Sequence, residues 1–335
     1  MAERIVVLGA GSIGCFVGGL WLAAGLDVTF VGRPATADEV ARNGMRLTAH
    51  AGLDVRLNTA DIRFSTSPEA LGSADIVLLT VKGTGTEAAA RDIARHAPQQ
   101  ATVLSLQNGI SNIDVLQAIL PGRKILRGSV GFNVAWQGGG HWHRGTSGIL
   151  AAQRDARLEP IAVRLADSPG RLTLVDDALA IAWGKLLLNL NNAVNALSGN
   201  TLLTELSQHP YRRVLAASMR EALATLSAAG ISPATVGPLP PALLPFFVAA
   251  PNIVFNTVGL RLQKIDAHAR SSMADDFAAG RATEIDFLNG EILRLARKLG
   301  RPAPINEKLV ELVKQAEQGG RRDWPGKELA AAVLG

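Results

Sequence analysis

The 335-residue sequence predicts an α/β protein of two domains, with a parallel sheet in residues 1–177 and only helices in residues 178–335. Three observations support this prediction. The length fits about two domains. Short β-branched apolar runs alternate with helical patterns in the first half, which is typical of a parallel sheet. The second half contains apolar stripes at helical spacing and no strand-like run.

The chain opens with a buried-strand pattern at residues 5–8, followed by the spacing G-x-G-x-x-G. A helix pattern and a second strand, Asp27–Val31, complete a βαβ unit. In such units Gly9 permits the tight turn, Gly11 lets a pyrophosphate approach the backbone, and Gly14 lets the helix pack closely on the strand. The helix N-terminus holds the phosphates. The predicted dinucleotide site comprises Gly9, Ala10, Gly11, Ser12, Ile13 and Gly14. The alternative is a glycine-rich turn that binds no ligand.

Arg33 stands two residues after the second strand, near the place where NAD enzymes commonly carry an acidic residue for the ribose hydroxyls. A guanidinium group suits a 2′-phosphate instead, through its charge and its paired hydrogen bonds. The sequence therefore favours NADP (NADPH) over NAD. The alternative is that Arg33 is a surface residue preceding Pro34.

Two further predicted strands, residues 76–81 and 103–106, are followed by polar residues. Open α/β sheets bind ligands at the carboxyl ends of their strands. We therefore expect Lys82 to contact cofactor phosphate or ribose, and Asn108 to contact the ribose or the substrate. Asn-Gly is also a common turn dipeptide, so Asn108 could serve the turn alone.

The rest of the first half predicts additional elements and one histidine pair. The expected helices are residues 38–43, 84–96, 113–120 and 158–167, and the expected strands are residues 45–48, 54–57, 125–134, 141–143, 146–151 and 172–175. His141 and His143 would share one face of a strand, as metal ligands do. No Cys, Asp or Glu lies nearby in the sequence to complete a tetrahedral set, and we predict no metal site.

Residues 178–199 predict one helix that is apolar except for a row of polar side chains. Lys185, Asn189 and Asn192 are spaced at i, i+4 and i+7 and so share one face. Buried amides and ammonium groups are costly when unpaired. Two interpretations follow: the row lines a wet pocket, or it forms a satisfied polar seam between helices.

Composition limits the classes of partner and the compartment. The net charge of +5 is spread along the chain, and no basic stripe with interleaved aromatic residues indicates nucleic-acid binding. No apolar run reaches the ~18 residues of a membrane helix, and no signal-peptide pattern is present. The single cysteine, Cys15, fits a reducing, cytoplasmic location. It is expected to be a core residue rather than a nucleophile.

These residues together resemble the ketopantoate reductases (2-dehydropantoate 2-reductases). The resemblance covers nearly the whole chain: the glycine motif, the end of the strand at Lys82, the turn at 107–109, Lys185 with Asn189, and the blocks 271–273 and 283–286. The last two blocks are the most specific. The resemblance implies a Rossmann-type dinucleotide-binding domain followed by a helical domain, with the active site in the cleft, and NADPH-dependent reduction of a 2-keto acid to a 2-hydroxy acid.

The resemblance also implies individual roles. Lys185 would be the general acid, and Glu284 would orient Lys185 or the ribose, although by pattern alone Glu284 is a solvated first-turn acid. Asn108 would lie near the ribose and the substrate. Asn189 and Ser272 would bind the substrate, with Ser272 at its carboxylate.

One departure from the family pattern concerns residues 191–197. The family often carries a second asparagine two turns beyond the lysine, followed by Pro-Leu, and this chain has alanine at the two-turn position. Recognition of the substrate hydroxyl is therefore open, and we expect Asn192 to contribute to substrate binding. The predicted reaction is reduction of 2-dehydropantoate to pantoate, in pantothenate biosynthesis.

Two alternatives to this function remain open. The first is an NADP-dependent reductase of another keto acid, similar to the 3-hydroxyacid dehydrogenases. The second is a non-catalytic NADP-binding regulatory protein. The expected partner is a small-molecule keto acid, with no nucleic acid and no membrane, and a homodimer is one option for assembly.

Overall fold

The computed structural model describes residues 3–50, 52–259 and 269–335. The chain forms two compact units, Met1–Ala178 and Leu179–Gly335. The first unit is mixed α/β. The described part of the second unit contains helices and no strand. The predicted fold class is confirmed in both halves.

The first unit contains twelve strands among its described residues. They are β1 (Arg4–Leu8), β2 (Asp27–Val31), β3 (Met45–Ala49), β4 (Leu53–Leu57), β5 (Arg63–Ser65), β6 (Ile76–Leu79), β7 (Thr102–Ser105), β8 (Ile125–Val130), β9 (Val134–Trp136), β10 (His141–Arg144), β11 (Leu150–Gln153) and β12 (Leu172–Val175). The helices of this unit are α1 (Ser12–Ala23), α2 (Pro34–Asn43), α3 (Thr86–His96), α4 (Asn112–Ile119) and α5 (Glu159–Arg164), with 3₁₀ turns at Thr59–Asp61, Pro68–Ser73 and Gly83–Gly85.

Eight of these strands form the main sheet, in the order β12-β11-β8-β7-β6-β1-β2-β5. The six strands from β8 to β5 pair in parallel. When these six strands are renumbered by their position in the chain, their order from β5 to β8 is 3-2-1-4-5-6, as in doubly wound nucleotide-binding sheets. The direction of this order reverses between β1 and β6. β11 joins β8 antiparallel, and β12 is parallel to β11. The topology places the expected ligand crevice beside the glycine turn.

A second sheet of four strands, β4-β3-β10-β9, lies over α1. The packing is close enough that a Cβ on Gly19 would overlap the side chain of Leu47. The predicted strand 125–134 is wrong as a single element, since β8 belongs to the main sheet and β9 to the second. The chain leaves β8 at Gly131, where the backbones of Gly131 and Gly148 approach too closely to admit a side chain. The predicted strand 146–151 begins only at Leu150, after this approach.

Apolar cores fill both faces of the main sheet. On one face α1 and the second sheet bury Phe16, Trp21, Phe30 and Trp142. On the other face α3 and α4 bury a smaller set that includes Ile93. Strands covered on both faces explain the continuous apolar runs of β1, β6 and β7.

The second unit is built from helices α6 (Ala178–Asn189), α7 (Asn191–Ser198), α8 (Leu202–Leu206), α9 (His209–Ala228), α10 (Leu244–Val248), α11 (Asn252–Val254), α12 (Ser272–Ala278), α13 (Asn289–Lys298), α14 (Pro304–Glu317) and α15 (Gly326–Leu334). A π-helical turn covers Phe255–Gly259, and 3₁₀ turns cover Pro241–Leu243 and Ile285–Phe287. The long helix α9 packs against α10 and α15.

The predicted single helix 178–199 is two helices, α6 and α7, which are separated at Leu190. The second helix ends at Gly199, whose positive φ of 65° is the usual left-handed helix stop. Lys185 and Asn189 therefore lie on α6, whereas Asn192 lies on α7. The local sequence carries no Pro or Gly at Leu190 to indicate the break.

Candidate functional site

In the glycine turn between β1 and α1, the fold itself requires two of the glycines, whereas the third has open space beside it. Gly9 has a φ of +102°, and a Cβ there would overlap the backbone of Val81. A Cβ on Gly14 would overlap the carbonyl oxygen of Gly9. A Cβ on Gly11 would have only one heavy atom of the described structure within 4 Å, apart from its chain neighbours. This atom is the Gly9 oxygen, at 3.9 Å. Internal packing thus accounts for Gly9 and Gly14, and leaves room for a ligand at Gly11.

The start of α1 is suited to an anion. Gly11 occupies the position before the helix and has no side chain to cap it. The backbone N–H groups of Gly9 and Ala10 donate to the Val31 carbonyl oxygen, at 3.0 and 2.9 Å, which fixes the turn against β2. First-turn N–H groups without a capping side chain are the donors that phosphate oxygens use at helix N-termini.

The four central strands end level with one another. Leu8 of β1 pairs with Val31 of β2 and Leu79 of β6, and Leu79 pairs with Ser105 of β7. Adjacent strands lie about 4.8 Å apart, so this edge extends about 14 Å from β2 to β7. The residues that follow these strands form one continuous rim, which we call the carboxyl rim.

The carboxyl rim brings together the candidates that follow its strands. Arg33 lies just beyond β2 and precedes α2, with its side chain exposed. Lys82 follows β6 and is exposed, and Asn108 follows β7 and is half-buried. With the glycine turn after β1, the predicted cofactor residues thus share one edge of the sheet. Their individual ligand contacts stay predictions.

A buried network below the rim was missed by the sequence analysis. Gln107 is 9% exposed, and its amide Nε2 donates to the Thr86 hydroxyl at 2.8 Å and to the Val81 carbonyl at 3.1 Å. The Thr86 hydroxyl lies 2.9 Å from Asn112 Oδ1, and Asn112 Nδ2 donates to the carbonyl of Asn108. The sequence signal was a long amide at the end of a buried strand.

Lys185 and Glu284 are brought together in the second unit. Lys185 is half-buried on the apolar helix α6, and burial lowers its pKa to about 8, although the nearby Glu284 carboxylate raises it. Glu284 is 8% exposed, so the interpretation of a solvated first-turn acid is wrong. A buried carboxylate beside an ammonium group favours the charged form of the lysine.

The turn that carries Glu284 is firmly held. Thr283 donates to Glu317 Oε1 on α14 twice, from its backbone N–H at 2.8 Å and its hydroxyl at 2.7 Å. The carbonyl of Glu284 accepts from the Phe287 N–H at 2.9 Å. The backbone that carries this carboxylate is therefore held by its own turn and by α14.

The other substrate candidates lie on neighbouring segments of the same unit. Asn189 ends α6, Asn192 lies in the first turn of α7, and both are half-buried. Ser272 begins α12 and is exposed, whereas Ser271 is buried and caps α12 by accepting from the Ala274 N–H. The Ser271 hydroxyl also donates to the Asn192 carbonyl at 3.3 Å. This bond places the start of α12 beside α7.

A buried carboxyl group, Glu205, was not identified from the sequence. It is 0% exposed, and its Oε2 accepts from Asn191 Nδ2 at 3.1 Å and from Asn195 Nδ2 at 3.4 Å. Asn195 Oδ1 accepts from the Ser271 N–H at 2.9 Å. Burial raises the pKa of Glu205 to about 8, despite these bonds and the charge of Arg212. Asn191 and Asn195 of α7, which were not part of the predicted polar row, thus form polar contacts with α8.

The histidine pair and the cysteine have structural surroundings. His141 Nε2 and His143 Nδ1 each lie 2.7 Å from the Thr48 hydroxyl, so the two rings share one face as predicted. Within the described ranges, no group of three or more His, Cys, Asp or Glu could hold a metal ion. Cys15 is completely buried in α1, and burial raises the pKa of its thiol, which makes it a poor nucleophile.

Two family models together match most of the chain. The model described as "Ketopantoate reductase PanE/ApbA" matches residues 5–155, and the model described as "Ketopantoate reductase PanE/ApbA C terminal" matches residues 177–317. The chain belongs to the ketopantoate reductase family. It is accordingly an oxidoreductase acting on a CH–OH group, and the family resemblance inferred from its motifs is confirmed. No helix of the described segments is both long and apolar enough to cross a membrane.

Several individual proteins are similar over almost their full length. The 2-dehydropantoate 2-reductase of Halobacterium salinarum is 29% identical, with 95% of this chain and 100% of that protein covered. The Archaeoglobus fulgidus protein of the same name is 27% identical, with 95% and 99% covered. The crystal structure of a PanE/ApbA family ketopantoate reductase from Ralstonia eutropha JMP134 matches with a TM-score of 0.81 at 28% identity, covering 94% and 99% of the two chains.

The same fold also occurs in D-mandelate dehydrogenase. Its ternary structure with NADH and anilino(oxo)acetate matches with a TM-score of 0.78 at 20% identity, and 94% of this chain and 98% of that chain are covered. At this identity the match concerns the fold alone.

Proposed function

We propose that the protein uses NADPH to reduce a 2-keto acid to a 2-hydroxy acid, and that the substrate is 2-dehydropantoate, reduced to pantoate for pantothenate biosynthesis. Membership of the ketopantoate reductase family supports the reaction class. The observation that carries the mechanism is Lys185, a half-buried ammonium on an apolar helix beside the buried carboxylate of Glu284.

The proposed cofactor site is the carboxyl rim. Residues 9–14 would hold the pyrophosphate, since Gly11 leaves the space and α1 presents its first-turn N–H groups. Arg33 would bind the 2′-phosphate, and Lys82 and Asn108 would contact the ribose. When bound, the cofactor supplies the hydride for the keto carbon. Under this proposal residues 1–177 bind the cofactor and residues 178–335 supply the catalytic lysine.

Lys185 is proposed as the general acid. As the keto carbon is reduced, its oxygen gains negative charge, which an ammonium group both stabilises and protonates. A pKa of about 8 leaves about nine-tenths of the lysine protonated at neutral pH and makes it a stronger acid than an ordinary lysine. Glu284 limits the loss of charge that burial causes.

Asn108, Asn189, Asn192 and Ser272 are proposed to bind the substrate. The exposed Ser272 hydroxyl would take the carboxylate, and the bond from Ser271 to the Asn192 carbonyl supports this assignment because it holds the start of α12 against α7. We further propose a cytoplasmic location, in keeping with the single buried cysteine. A homodimer is proposed by analogy with a ketopantoate reductase from Staphylococcus aureus, which is described as dimeric.

The proposal is tested with purified protein, NADPH and a panel of 2-keto and 3-keto acids that includes 2-dehydropantoate, with NADPH absorbance as the readout. We expect turnover with 2-keto acids. We expect Lys185→Ala to lower kcat by ~10² or more while circular dichroism and Tm stay unchanged, because general acid catalysis contributes at least that factor. An unchanged kcat would exclude Lys185 as the acid. NADPH binding without turnover of any keto acid would support the regulatory alternative.

A second candidate substrate is a 2-keto acid without the hydroxyl of 2-dehydropantoate. The observation in its favour is that Asn191 and Asn195 of α7 are bonded to Glu205, while this segment departs from the family pattern that recognises the hydroxyl. The ratio of kcat/KM for 2-dehydropantoate to that for its deoxy analogue decides between them. A site that hydrogen-bonds the hydroxyl discriminates strongly against the analogue, and a ratio near one favours the second candidate.

A further inference from the structure

At the β7 end of the carboxyl rim, one buried side chain connects the segments that follow β6 and β7. Gln107 follows β7, and its Nε2 donates across to the Val81 carbonyl at 3.1 Å, with the Lys82 carbonyl at 3.4 Å. Its Oε1 accepts from the Ser105 hydroxyl at 3.0 Å. The amide is therefore anchored on β7 and holds the segment that follows β6.

Thr86 and Asn112 extend this contact to both rim segments. Thr86 is 2% exposed and accepts from Gln107 Nε2, while its own proton can go to the Gly83 carbonyl at 2.7 Å or to Asn112 Oδ1 at 2.9 Å. Asn112 is 3% exposed, and its Nδ2 donates to the Asn108 carbonyl. One chain of buried side chains thus reaches the backbone at residues 81–83 and at 108.

The chemistry of this network requires its residue types. The Gln107 amide must donate from nitrogen and accept at oxygen, which a carboxylate cannot do. The Thr86 hydroxyl must accept and donate at once, which a methyl group of the same shape cannot do. Because all three side chains are buried, a lost partner is not replaced easily by water, and the backbone segments they hold would move instead.

We propose that Gln107, Thr86 and Asn112 are positioning residues for cofactor binding, which fix Lys82 and Asn108 in the geometry that the nicotinamide cofactor requires. The inference rests on the proposed function, in which Lys82 and Asn108 contact the cofactor. A displaced Lys82 or Asn108 would lose its hydrogen bond to the cofactor, and a hydrogen bond to a charged group contributes about 10- to 100-fold in affinity. A misplaced rim should therefore bind NADPH more weakly while the protein stays folded.

Thr86→Val removes the hydroxyl and keeps the shape, whereas Thr86→Ser keeps the hydroxyl. Thr102→Val is the matched control, because Thr102 is 1% exposed and begins β7, at the opposite edge of the sheet. The measurements are the NADPH dissociation constant by fluorescence titration, KM and kcat at saturating cofactor, and Tm. Gln107→Glu is the second variant if Thr86→Val does not fold.

We expect Thr86→Val to raise the NADPH dissociation constant and the KM for NADPH by about 10- to 100-fold, with a smaller change in kcat at saturating NADPH. Thr86→Ser should restore wild-type binding, and Thr102→Val should bind as the wild type even if its Tm falls. Wild-type NADPH binding by Thr86→Val would overturn this inference and leave the proposed function intact. The same holds if both valine variants lose NADPH affinity in proportion to their loss of Tm. Failure of the unmodified protein to bind NADPH would overturn the proposed function, and this inference with it.

Discussion

Replacing Glu205 with glutamine is expected to make the stability of the protein less sensitive to alkaline pH. The carboxyl group is 0% exposed in α8, and burial raises its pKa from the ordinary 4.5 to about 8. The hydrogen bonds from Asn191 and Asn195 and the charge of Arg212 oppose this rise without cancelling it. Glutamine keeps the shape of the neutral acid and cannot ionise.

The direction of this pH dependence follows from the pH at which the Glu205 carboxyl group loses its proton in the unfolded and in the folded state. The unfolded chain releases it near pH 4.5, and the folded protein retains it up to about pH 8. The wild type therefore loses stability as pH rises between these two values, and the loss is complete above pH 8. At about 1.4 kcal/mol per pH unit, this interval corresponds to a loss of about 5 kcal/mol, an upper figure for a group that is fully buried.

The assay is urea unfolding of the wild type and Glu205→Gln at several pH values between about 5 and about 9. As pH rises, the unfolding free energy of Glu205→Gln should increase by several kcal/mol relative to that of the wild type. Contributions from Lys185 and other groups cancel in this difference. Glu87→Gln is the control, because Glu87 is exposed on α3 beside Arg91. Parallel pH curves for wild type and Glu205→Gln would refute the argument from burial.

Three further predictions concern the proposed site. First, kcat should fall as pH rises through about 8, where Lys185 loses its proton, and Glu284→Gln should move this fall to lower pH because the carboxylate raises the pKa of the lysine; a pH–rate profile checks both shifts. Second, Gly11→Ala should weaken NADPH binding at unchanged Tm, whereas Gly9→Ala should lower Tm because of its φ of +102°, as calorimetry and titration would show. Third, Arg33→Ala should reduce the kcat/KM preference for NADPH over NADH by about 10- to 100-fold, the value of a charge-assisted hydrogen bond.

Much of the first unit could be predicted because its signals are local. The apolar β-branched runs of β1, β2 and β12 and the glycine spacing depend only on neighbouring residues. The division of residues 125–134 into two strands could not be predicted. It depends on the close approach of Gly131 to Gly148, which are far apart in the sequence. The break at Leu190 likewise has no local signal.

The candidate site shows the same limit. That Arg33, Lys82 and Asn108 would share one edge followed from parallel topology, since each stands just beyond a strand end. These partners of Gln107 and Glu205 could not be deduced, because side-chain hydrogen bonds to groups 10 to 26 residues away depend on tertiary packing.

The two histidines on β10 share one hydroxyl group, so their hydrogen bonds depend on each other. The Thr48 hydroxyl has one hydrogen, so it can donate to only one of the two rings it contacts, and the other ring must present an N–H to it. The tautomers of His141 and His143 are thereby coupled: at least one of the two ring nitrogens that face Thr48 must carry a hydrogen. When both facing nitrogens carry a hydrogen, the hydroxyl oxygen accepts twice and its own hydrogen must go to another acceptor. Thr48 therefore links the protonation of two histidines in the four-stranded sheet through a single hydroxyl group.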